Sequence, residues 1–361
     1  MNILMICGHG DQRMIKESLA LKRKGHGVSL LTQSTNSYMD YFDEVIFFGS
    51  TKKLECHLSR LEADIYHIHC KPSSIPYTCI KKLIERKKKF VYDVHDLDLV
   101  RFERTNAEEI FALVNSPYLI FPDEAVRDKT FELILGSLSE KPESLVLLPY
   151  FSLVDMVYPL IQPNPSVAEE VSKKIVYEGN IIHPAIENIK LFPYYDLRFT
   201  SFVLSSYDFE FHIYPVGIPF DQARQFYDTS GAILHHPVEY PSLVREMSQF
   251  GWGFFGAFGR STQQDCTFAN KVFDYICAGI PVVVLNAKRM GDWLEETGFG
   301  FSIRVVEDYE KMKDRNLRAE YQQRVLGGRV KYSMEENIET LENFYKKILS
   351  NGEIKEEENN G

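Results

Sequence analysis

Residues 270–284 read NKVFDYICAGIPVVV and predict a short helix that is followed by a buried strand. In the first half, apolar residues recur at helical spacing, so one face of the helix is apolar. Gly279 supplies a left-handed cap residue, and Pro281 prevents the helix from continuing. The apolar run from Val282 to Leu285 is typical of a parallel strand that is covered on both faces. The stretch therefore predicts an α/β fold.

The first turn of this helix carries two charged residues that suit a phosphate ligand. Lys271 and Asp274 are three positions apart, so their side chains are neighbours on the helix. A helix start has unpaired backbone N–H groups and a partial positive charge. Lys271 is therefore placed to bind a diphosphate, and Asp274 to accept hydrogen bonds from ribose hydroxyls. An ordinary surface pair on an amphipathic helix is the alternative.

The alternation of strands and helices extends through the whole chain. A strand over residues 3–7 ends in the turn Gly8-His9-Gly10. A helix follows over residues 13–24, and the next strand covers 28–32. This order is a βαβ unit with a parallel sheet, and its glycine turn lies at the edge where such sheets bind ligands.

The sequence predicts two domains, because the proline-bearing residues 159–165 separate two regions of alternating strands and helices. We expect an N-terminal domain over residues 1–158 and a C-terminal domain over residues 166–333. An amphipathic helix over residues 334–350 closes the fold. The tail that follows, residues 351–361, is polar and acidic, and we expect it to be disordered.

The composition limits the classes of function. The chain has 361 residues, of which 44% are hydrophobic, and its formal net charge is −10. An acidic chain of this kind lacks the basic surface of a nucleic-acid-binding protein, so we expect no nucleic acid partner. Its six cysteines form no CxxC pair, and the apolar run at residues 1–7 is too short to span a membrane. We therefore expect a cytoplasmic protein.

The run at residues 270–284 resembles the donor-site signature of GT-B glycosyltransferases of the family 4-like group, in which a lysine, an acidic residue and a glycine precede Pro-Val-Val. The turn at residues 8–10 and the stretch VYEGN at 176–180 resemble the openings of the two domains of that family. The resemblance covers most of the chain. It implies two Rossmann-like domains that face an interdomain cleft, with the last helix crossing back to the first domain.

The resemblance also implies an activity. It implies transfer of a sugar from a nucleotide-sugar donor to a hydroxyl of a glycan or a lipid-linked acceptor, with retention at the anomeric carbon and without a metal or a cofactor. The donor would contact the two glycine turns and the start of the signature helix. Its nucleotide base would lie near residues 235–236. The residues assigned to the donor are Gly8, His9, Gly10, Gly179, Asn180, His236, Asn270, Lys271 and Asp274.

Candidate catalytic residues follow the strand at residues 90–94. The resemblance implies that His95 acts on the acceptor side and that Asp96 orients it. A histidine that only caps the strand is the alternative. His67 and His69 alternate along another strand and so face the same side. The sequence offers no third ligand beside them, so we expect no metal site.

The residues from Lys81 to Lys89 make one predicted helix strongly basic. A solvated helix face is one interpretation. Contact with anionic lipid headgroups is the other, and it would suit a lipid-linked acceptor at the inner face of a membrane.

The chain departs from the family pattern at two places. Cys266 stands where the first of two paired glutamates is usual, and residues 180–183 lack the arginine and lysine that often hold the donor phosphates. Two alternatives therefore stay open. One is a non-catalytic, degenerate nucleotide-sugar-binding partner protein. The other is a nucleotide-sugar 2-epimerase of the same fold, which needs acid/base carboxylates that the sequence does not identify.

Overall fold

The chain divides into two compact units. Unit 1 comprises Met1–Ser152 and Ser333–Gly361, and unit 2 comprises Leu153–Tyr332. No helix in the described part of the chain is long and apolar enough to cross a membrane. The computed structural model describes residues 1–9, 12–34, 39–69, 71–95, 97–98, 104–156, 168–183, 185, 190, 192–259 and 262–358.

Strands and helices alternate along both units. The strands are β1 (Asn2–Cys7), β2 (Gly27–Thr32), β3 (Glu44–Phe47), β4 (Ile65–His69), β5 (Phe90–Asp93), β6 (Tyr118–Phe121), β7 (Glu143–Val146), β8 (Lys174–Asn180), β9 (Glu210–Val216), β10 (Ala232–Leu234), β11 (Trp252–Gly256), β12 (Val282–Leu285) and β13 (Gly300–Ile303). The α-helices are α1 (Gln12–Arg23), α2 (Thr51–Leu58), α3 (Ser74–Glu85), α4 (Ala107–Val114), α5 (Glu124–Leu133), α6 (Ala168–Ser172), α7 (Arg198–Ser206), α8 (Phe220–Tyr227), α9 (Tyr240–Met247), α10 (Thr262–Cys266), α11 (Asn270–Ala278), α12 (Lys288–Thr297), α13 (Glu307–Lys313), α14 (Arg315–Gly328) and α15 (Met334–Glu358). Short 3-10 helices cover Met39–Tyr41, Leu135–Ser137, Leu153–Asp155, Pro193–Tyr195 and Arg329–Tyr332.

Unit 1 is built on a seven-stranded sheet in the order β3-β2-β1-β4-β5-β6-β7, in which all neighbours are parallel. Alternate residues of β1 enter two different cores, Leu4 in one and Met5 in the other, so both faces of the sheet are covered. The strand order reverses between β1 and β4, where sheets of this kind bind ligands beyond the carboxyl ends of their strands. His69 and Asp93 end the paired strands β4 and β5 near this point.

The final helix, α15, belongs to unit 1. Its apolar stripe, which includes Leu341 and Tyr345, packs in the same core as β1 and α1. The helix runs to Glu358, which is beyond the predicted end at residue 350. Glutamate and lysine favour helix, and the extension of a formed helix needs no new nucleus.

The basic run at residues 81–89 is not one helix, contrary to the prediction. α3 ends before Arg86, and Lys87 has a φ of 54°, so the last basic residues form a turn. Arg86 and Lys88 both form ion pairs with Glu62. Part of the positive charge is therefore offset within the unit.

Unit 2 is built on a six-stranded parallel sheet in the order β10-β9-β8-β11-β12-β13. The signature stretch forms α11 and β12, which confirms the predicted helix and strand. Gly279 ends α11 with a left-handed φ of 80°, and all four residues of β12 are buried.

Tyr275 fixes α11 against two strands. Its hydroxyl donates to the carbonyl of Phe254 in β11 at 3.0 Å and accepts from the backbone N–H of Glu178 in β8 at 3.0 Å. Its ring lies against Gly253, where a Cβ atom would overlap it. The first turn of α11 is therefore held at a fixed place beside the carboxyl end of β8.

Candidate active site

Lys271 lies against Gly179, the penultimate residue of β8. Its Nζ would be 2.7 Å from a Cβ atom on Gly179, whose φ of 121° already favours glycine. The same Nζ is 3.8 Å from the centroid of the Tyr177 ring, a cation–π contact. The structure thus brings together two of the residues that the sequence assigned to the donor, although they are far apart in the chain.

The surroundings of Lys271 favour an anionic ligand. Burial lowers the pKa of its ammonium group to about 8, while the nearby carboxylates of Glu178 and Asp274 raise it. Lys271 is therefore mostly protonated at neutral pH, in a place where its charge is poorly solvated. A bound phosphate group would stabilise that charge.

Asp274 is inside the protein, so the interpretation of Lys271 and Asp274 as a surface pair is wrong. Its side chain is 2% exposed, and its Oδ1 accepts a hydrogen bond of 2.5 Å from the hydroxyl of Tyr240. Tyr240 is the first residue of α9. Burial and the adjacent Asp274 raise the pKa of the Tyr240 phenol, so this hydroxyl stays a donor.

The other residues of unit 2 that the resemblance assigns to the donor lie in exposed positions near strand and helix ends. Asn180 ends β8 and Asn270 begins α11, and both are exposed. His236 lies in the loop between β10 and α9, where its ring stacks on that of Phe220 at 3.9 Å between centroids. Among the described residues, no contact links His236 to Lys271.

Cys266 is the last residue of α10 and is partly buried. Its thiol cannot replace the carboxylate of the first glutamate in the family pattern.

In unit 1, His95 contacts the ends of β4 and β5. Its Nε2 is 3.2 Å from Nδ1 of His69 and 3.4 Å from Oδ2 of Asp93, and its side chain is 19% exposed. His95 is therefore partly open to solvent on one side and bound to buried groups on the other. Asp96, which the sequence assigned to orient it, lies outside the described residues.

These contacts continue into a buried group of charged residues, which we call the buried histidine cluster: Arg13, Glu17, His67, His69, Asp93 and His95. Nε of Arg13 is 3.0 Å from Oδ2 of Asp93 and 3.1 Å from Oε1 of Glu17. The rings of His67 and His69 stack at 4.3 Å, as expected for alternate residues of one strand. Nδ1 of His67 is 2.6 Å from the hydroxyl of Tyr345 in α15.

The two carboxylates of the cluster differ in their affinity for protons. Burial raises the pKa of Glu17 to about 7, against the opposing effect of Arg13. Burial also opposes ionisation of Asp93, but Arg13 and His95 hold its pKa well below its usual range. Asp93 is therefore ionised at neutral pH, and Glu17 is partly protonated.

The glycine turn after β1 has a packing role. The N–H of Gly8 donates to the carbonyl of Lys71 at 3.2 Å, and a Cβ atom on Gly8 would overlap Pro72. His9 is exposed, and its Nδ1 is 3.4 Å from Oγ of Ser34. Gly10 lies outside the described residues.

Sequence reasoning missed Arg13, Glu17, Asp93 and Tyr240. A weak signal was present, because Arg13 and Glu17 are four residues apart, and so on one face, of a helix whose other buried residues are mostly apolar. Asp93 likewise ends an otherwise apolar strand. Nothing in the sequence around Tyr240 indicates its bond to Asp274.

Comparison with known proteins defines the fold. No protein-family model and no curated protein matches the sequence. A sucrose-phosphate synthase from Thermosynechococcus elongatus has a TM-score of 0.67 at 11% identity, and 97% of this chain and 99% of that chain are covered. HepE from Anabaena, solved with UDP and glucose, has a TM-score of 0.66 at 13% identity over 95% of this chain and 100% of that chain.

A third similar structure has a different description. It is a protein from Listeria monocytogenes described as a UDP-N-acetylglucosamine 2-epimerase, with a TM-score of 0.54 at 11% identity over 90% of each chain. At these identities the likeness concerns the fold. The chain has the GT-B fold, and this confirms the α/β fold with two Rossmann-like parallel sheets that the sequence predicts.

Proposed function

We propose that this chain, which has the GT-B fold, is a glycosyltransferase that transfers a sugar from a nucleotide-sugar donor to a hydroxyl group. The observation that carries the proposal is the position of Lys271 in unit 2. A poorly solvated ammonium group in the first turn of α11 lies at Gly179, the penultimate residue of a central strand. This arrangement suits the diphosphate of a nucleotide sugar.

The donor diphosphate would be held by Lys271 and by the backbone N–H groups at the start of α11. These groups stabilise the negative charge that develops as the sugar leaves, which requires neither a metal nor a cofactor. Gly179 contacts Lys271 in space, Asn180 follows Gly179 in the chain, and Asn270 precedes Lys271. Asp274 would accept the ribose hydroxyls and keep its bond to Tyr240.

HepE was solved with UDP, and we propose a uridine nucleotide for this chain as well. The stacked pair of His236 and Phe220 offers an aromatic surface for the base. In unit 1, the family resemblance assigns Gly8, His9 and Gly10 to donor binding, with the Gly8 turn at the diphosphate.

On the acceptor side, His95 would accept a hydrogen bond from the hydroxyl that is glycosylated. Asp93 contacts His95 from inside the protein and would help to orient it. The orienting role of Asp96 stays a prediction. The acceptor would be a glycan or a lipid-linked saccharide. The run from Lys81 to Lys89 keeps enough positive charge for peripheral contact with an anionic membrane at its inner face, although Glu62 offsets part of it.

Retention at the anomeric carbon is part of the proposal, on the strength of the family resemblance. The coupling constant of the anomeric proton, measured by NMR on donor and product, tests it directly. An inverted product would contradict retention at the anomeric carbon but would not contradict the transfer reaction.

Two other functions are tested by the same experiments. A 2-epimerase would convert a nucleotide sugar without any acceptor. The structure described as a 2-epimerase is less similar to this chain than the sucrose-phosphate synthase. A non-catalytic binding protein would bind the nucleotide without turnover, and Cys266 is the observation that favours it.

The first experiment is a thermal-shift measurement with a panel of nucleoside diphosphates and nucleotide sugars. A ligand at about 100 times its dissociation constant stabilises the folded state by about 2.7 kcal/mol. We expect uridine nucleotides to raise the Tm of the wild type. Lys271→Ala should weaken binding roughly ten- to hundredfold, because a charge-assisted bond contributes about 1.5–3 kcal/mol.

Lys288→Ala is the matched control. Lys288 is in the same unit, is 78% exposed and pairs with Asp292, so its loss should leave the nucleotide response unchanged. A wild type that responds to no nucleotide contradicts the proposal. Binding without transfer to any saccharide or lipid-linked acceptor would favour the non-catalytic protein.

A further inference from the structure

Glu17 is a buried acid in an unusual setting. Its side chain has no exposed area, and neither of its oxygens accepts a hydrogen bond from the described residues. An ionised carboxylate in such a place is strongly disfavoured unless nearby charges offset it. The charged or titratable groups that face it, from α1, β4, β5, the loop after β5 and α15, are Arg13, His67, His69, Asp93, His95 and Tyr345.

The buried histidine cluster has one more carboxylate than it has guanidinium groups. Arg13 offsets one of the two carboxylates. If Glu17 and Asp93 are both ionised and the histidines are neutral, one negative charge remains inside the protein. A single proton on the cluster removes it. Arg13 contacts both carboxylates, and His67 and His69 lie within 4.0 Å of both. Asp93 has the closer histidine contacts, at 3.5 Å to His67 and 3.4 Å to His95, so Glu17 is the carboxylate that gains more from protonation.

A divalent cation satisfies the same groups less well. Ligand atoms of Glu17, His67, His69 and Asp93 lie within 4.8 Å of one another, which is a spacing that a metal could use. However, the guanidinium of Arg13 is already within 3.1 Å of both carboxylates. A divalent ion would therefore leave a net positive charge in the interior, whereas one proton leaves none.

We propose that the buried histidine cluster holds one exchangeable proton, mainly on Glu17, and that loss of this proton makes His95 a stronger hydrogen-bond acceptor for the acceptor hydroxyl. Glu17 is thus a positioning residue that acts through the cluster. A new negative charge in a poorly solvated interior strengthens the attraction between the nearby imidazoles and any proton that approaches them. The effect on the acceptor hydroxyl rests on the proposed function. The exchangeable proton itself, which we call the stored proton, does not.

The stored proton is tested without any substrate. Side-chain NMR of the full chain, with labelled histidine, follows the imidazoles of His67, His69 and His95 as pH is raised through neutrality. We expect their resonances to shift with a common midpoint near that of Glu17 ionisation. In Glu17→Gln, which is close in shape and cannot ionise, this common transition should be absent.

Glu342→Gln is the matched control. Glu342 lies in the same unit and pairs with Lys346 and His26, away from the cluster, so the transition should persist. A wild type without the transition, or a Glu17→Gln variant that keeps it, overturns the proposal. So does stoichiometric binding of Zn²⁺ by the wild type that Glu17→Gln abolishes, because the cluster would then be a metal site.

An infrared titration of the wild type keeps the proposal testable if Glu17→Gln does not fold. A protonated buried carboxyl group gives a C=O band distinct from that of a carboxylate. We expect this band to disappear as pH rises through neutrality. Its absence at all pH values above the range of ordinary carboxyl groups overturns the stored proton.

The effect on His95 is read from the pH dependence of transfer. In the wild type, the rate at saturating donor should rise with pH as Glu17 ionises. In Glu17→Gln the rate should remain at the low-pH level of the wild type over the same range, with an unchanged KM for the donor. A variant that keeps the rise overturns the coupling. If no transfer occurs with any acceptor but the NMR transition is present, the proposed function fails and the stored proton stands.

Discussion

Gly179→Ala places a methyl group on the position against which Lys271 packs. Two effects follow from the structure. The residue has a φ of 121°, which an alanine adopts only with strain. The new Cβ would also be 2.7 Å from Nζ and 3.4 Å from Cε of Lys271. Since the contact is with the end of a flexible side chain, we expect Lys271 to move away and the backbone to stay folded.

The two effects have different sizes and different readouts. The backbone strain should lower the free energy of unfolding by about 1–3 kcal/mol. Displacement of the ammonium group would remove the proposed charge-assisted contact with the diphosphate, and such a contact contributes about 1.5–3 kcal/mol. Affinity for the nucleotide should therefore fall roughly ten- to hundredfold, because about 1.4 kcal/mol corresponds to a factor of ten.

Urea denaturation measures the first effect, and isothermal titration with UDP measures the second. Gly298→Ala is the matched control, because Gly298 has a φ of 71° and a Cβ there would be 2.9 Å from the flexible side chain of Arg324. It should lose stability and keep its affinity for UDP. If Gly179→Ala loses stability but binds UDP as tightly as the wild type, Lys271 does not hold the diphosphate.

Two more predictions concern the same site. Tyr240→Phe removes the donor of the 2.5 Å hydrogen bond to the buried Asp274. The free energy of unfolding, measured by urea denaturation, should fall by about 1–3 kcal/mol. An unchanged value would contradict a stabilising role for this hydrogen bond. The pKa of Lys271 is lowered from 10.5 to about 8, so between these values the unfolded chain binds more protons than the folded one. Stability should therefore rise from about pH 8 to about pH 10.5 in the wild type relative to Lys271→Met, and parallel pH curves for the two proteins would refute the perturbed pKa.

The signature stretch was predictable because its signals are local. A glycine and a proline after an apolar helix face end that helix whatever lies around it, and a β-branched run favours a covered strand. α11, Gly279 and β12 therefore have the predicted places. The extent of α15 was not predictable in the same way, because its first turns are fixed by packing in unit 1 and the rest continues from them.

The buried histidine cluster depends on long-range contacts. Arg13 and Asp93 are 80 residues apart and meet only because β1, β4 and β5 are neighbours and α1 packs on them. The sequence places His67 and His69 on one face of a strand but does not show which helix covers that face. The burial of Asp274 has the same origin, since its partner Tyr240 is 34 residues away.

The discontinuity of unit 1 has a consequence for biosynthesis. The polypeptide leaves this unit after Ser152 and returns to it at Ser333, so unit 2 is synthesised before the last piece of unit 1. At about 5–20 residues per second this delay lasts roughly 10–40 s. During that time the apolar surface that α15 covers is exposed, and His67 lacks its contact with the hydroxyl of Tyr345. A chain released before α15 is synthesised would have a complete unit 2 and an incomplete histidine cluster, and we expect it to be bound by chaperones or degraded.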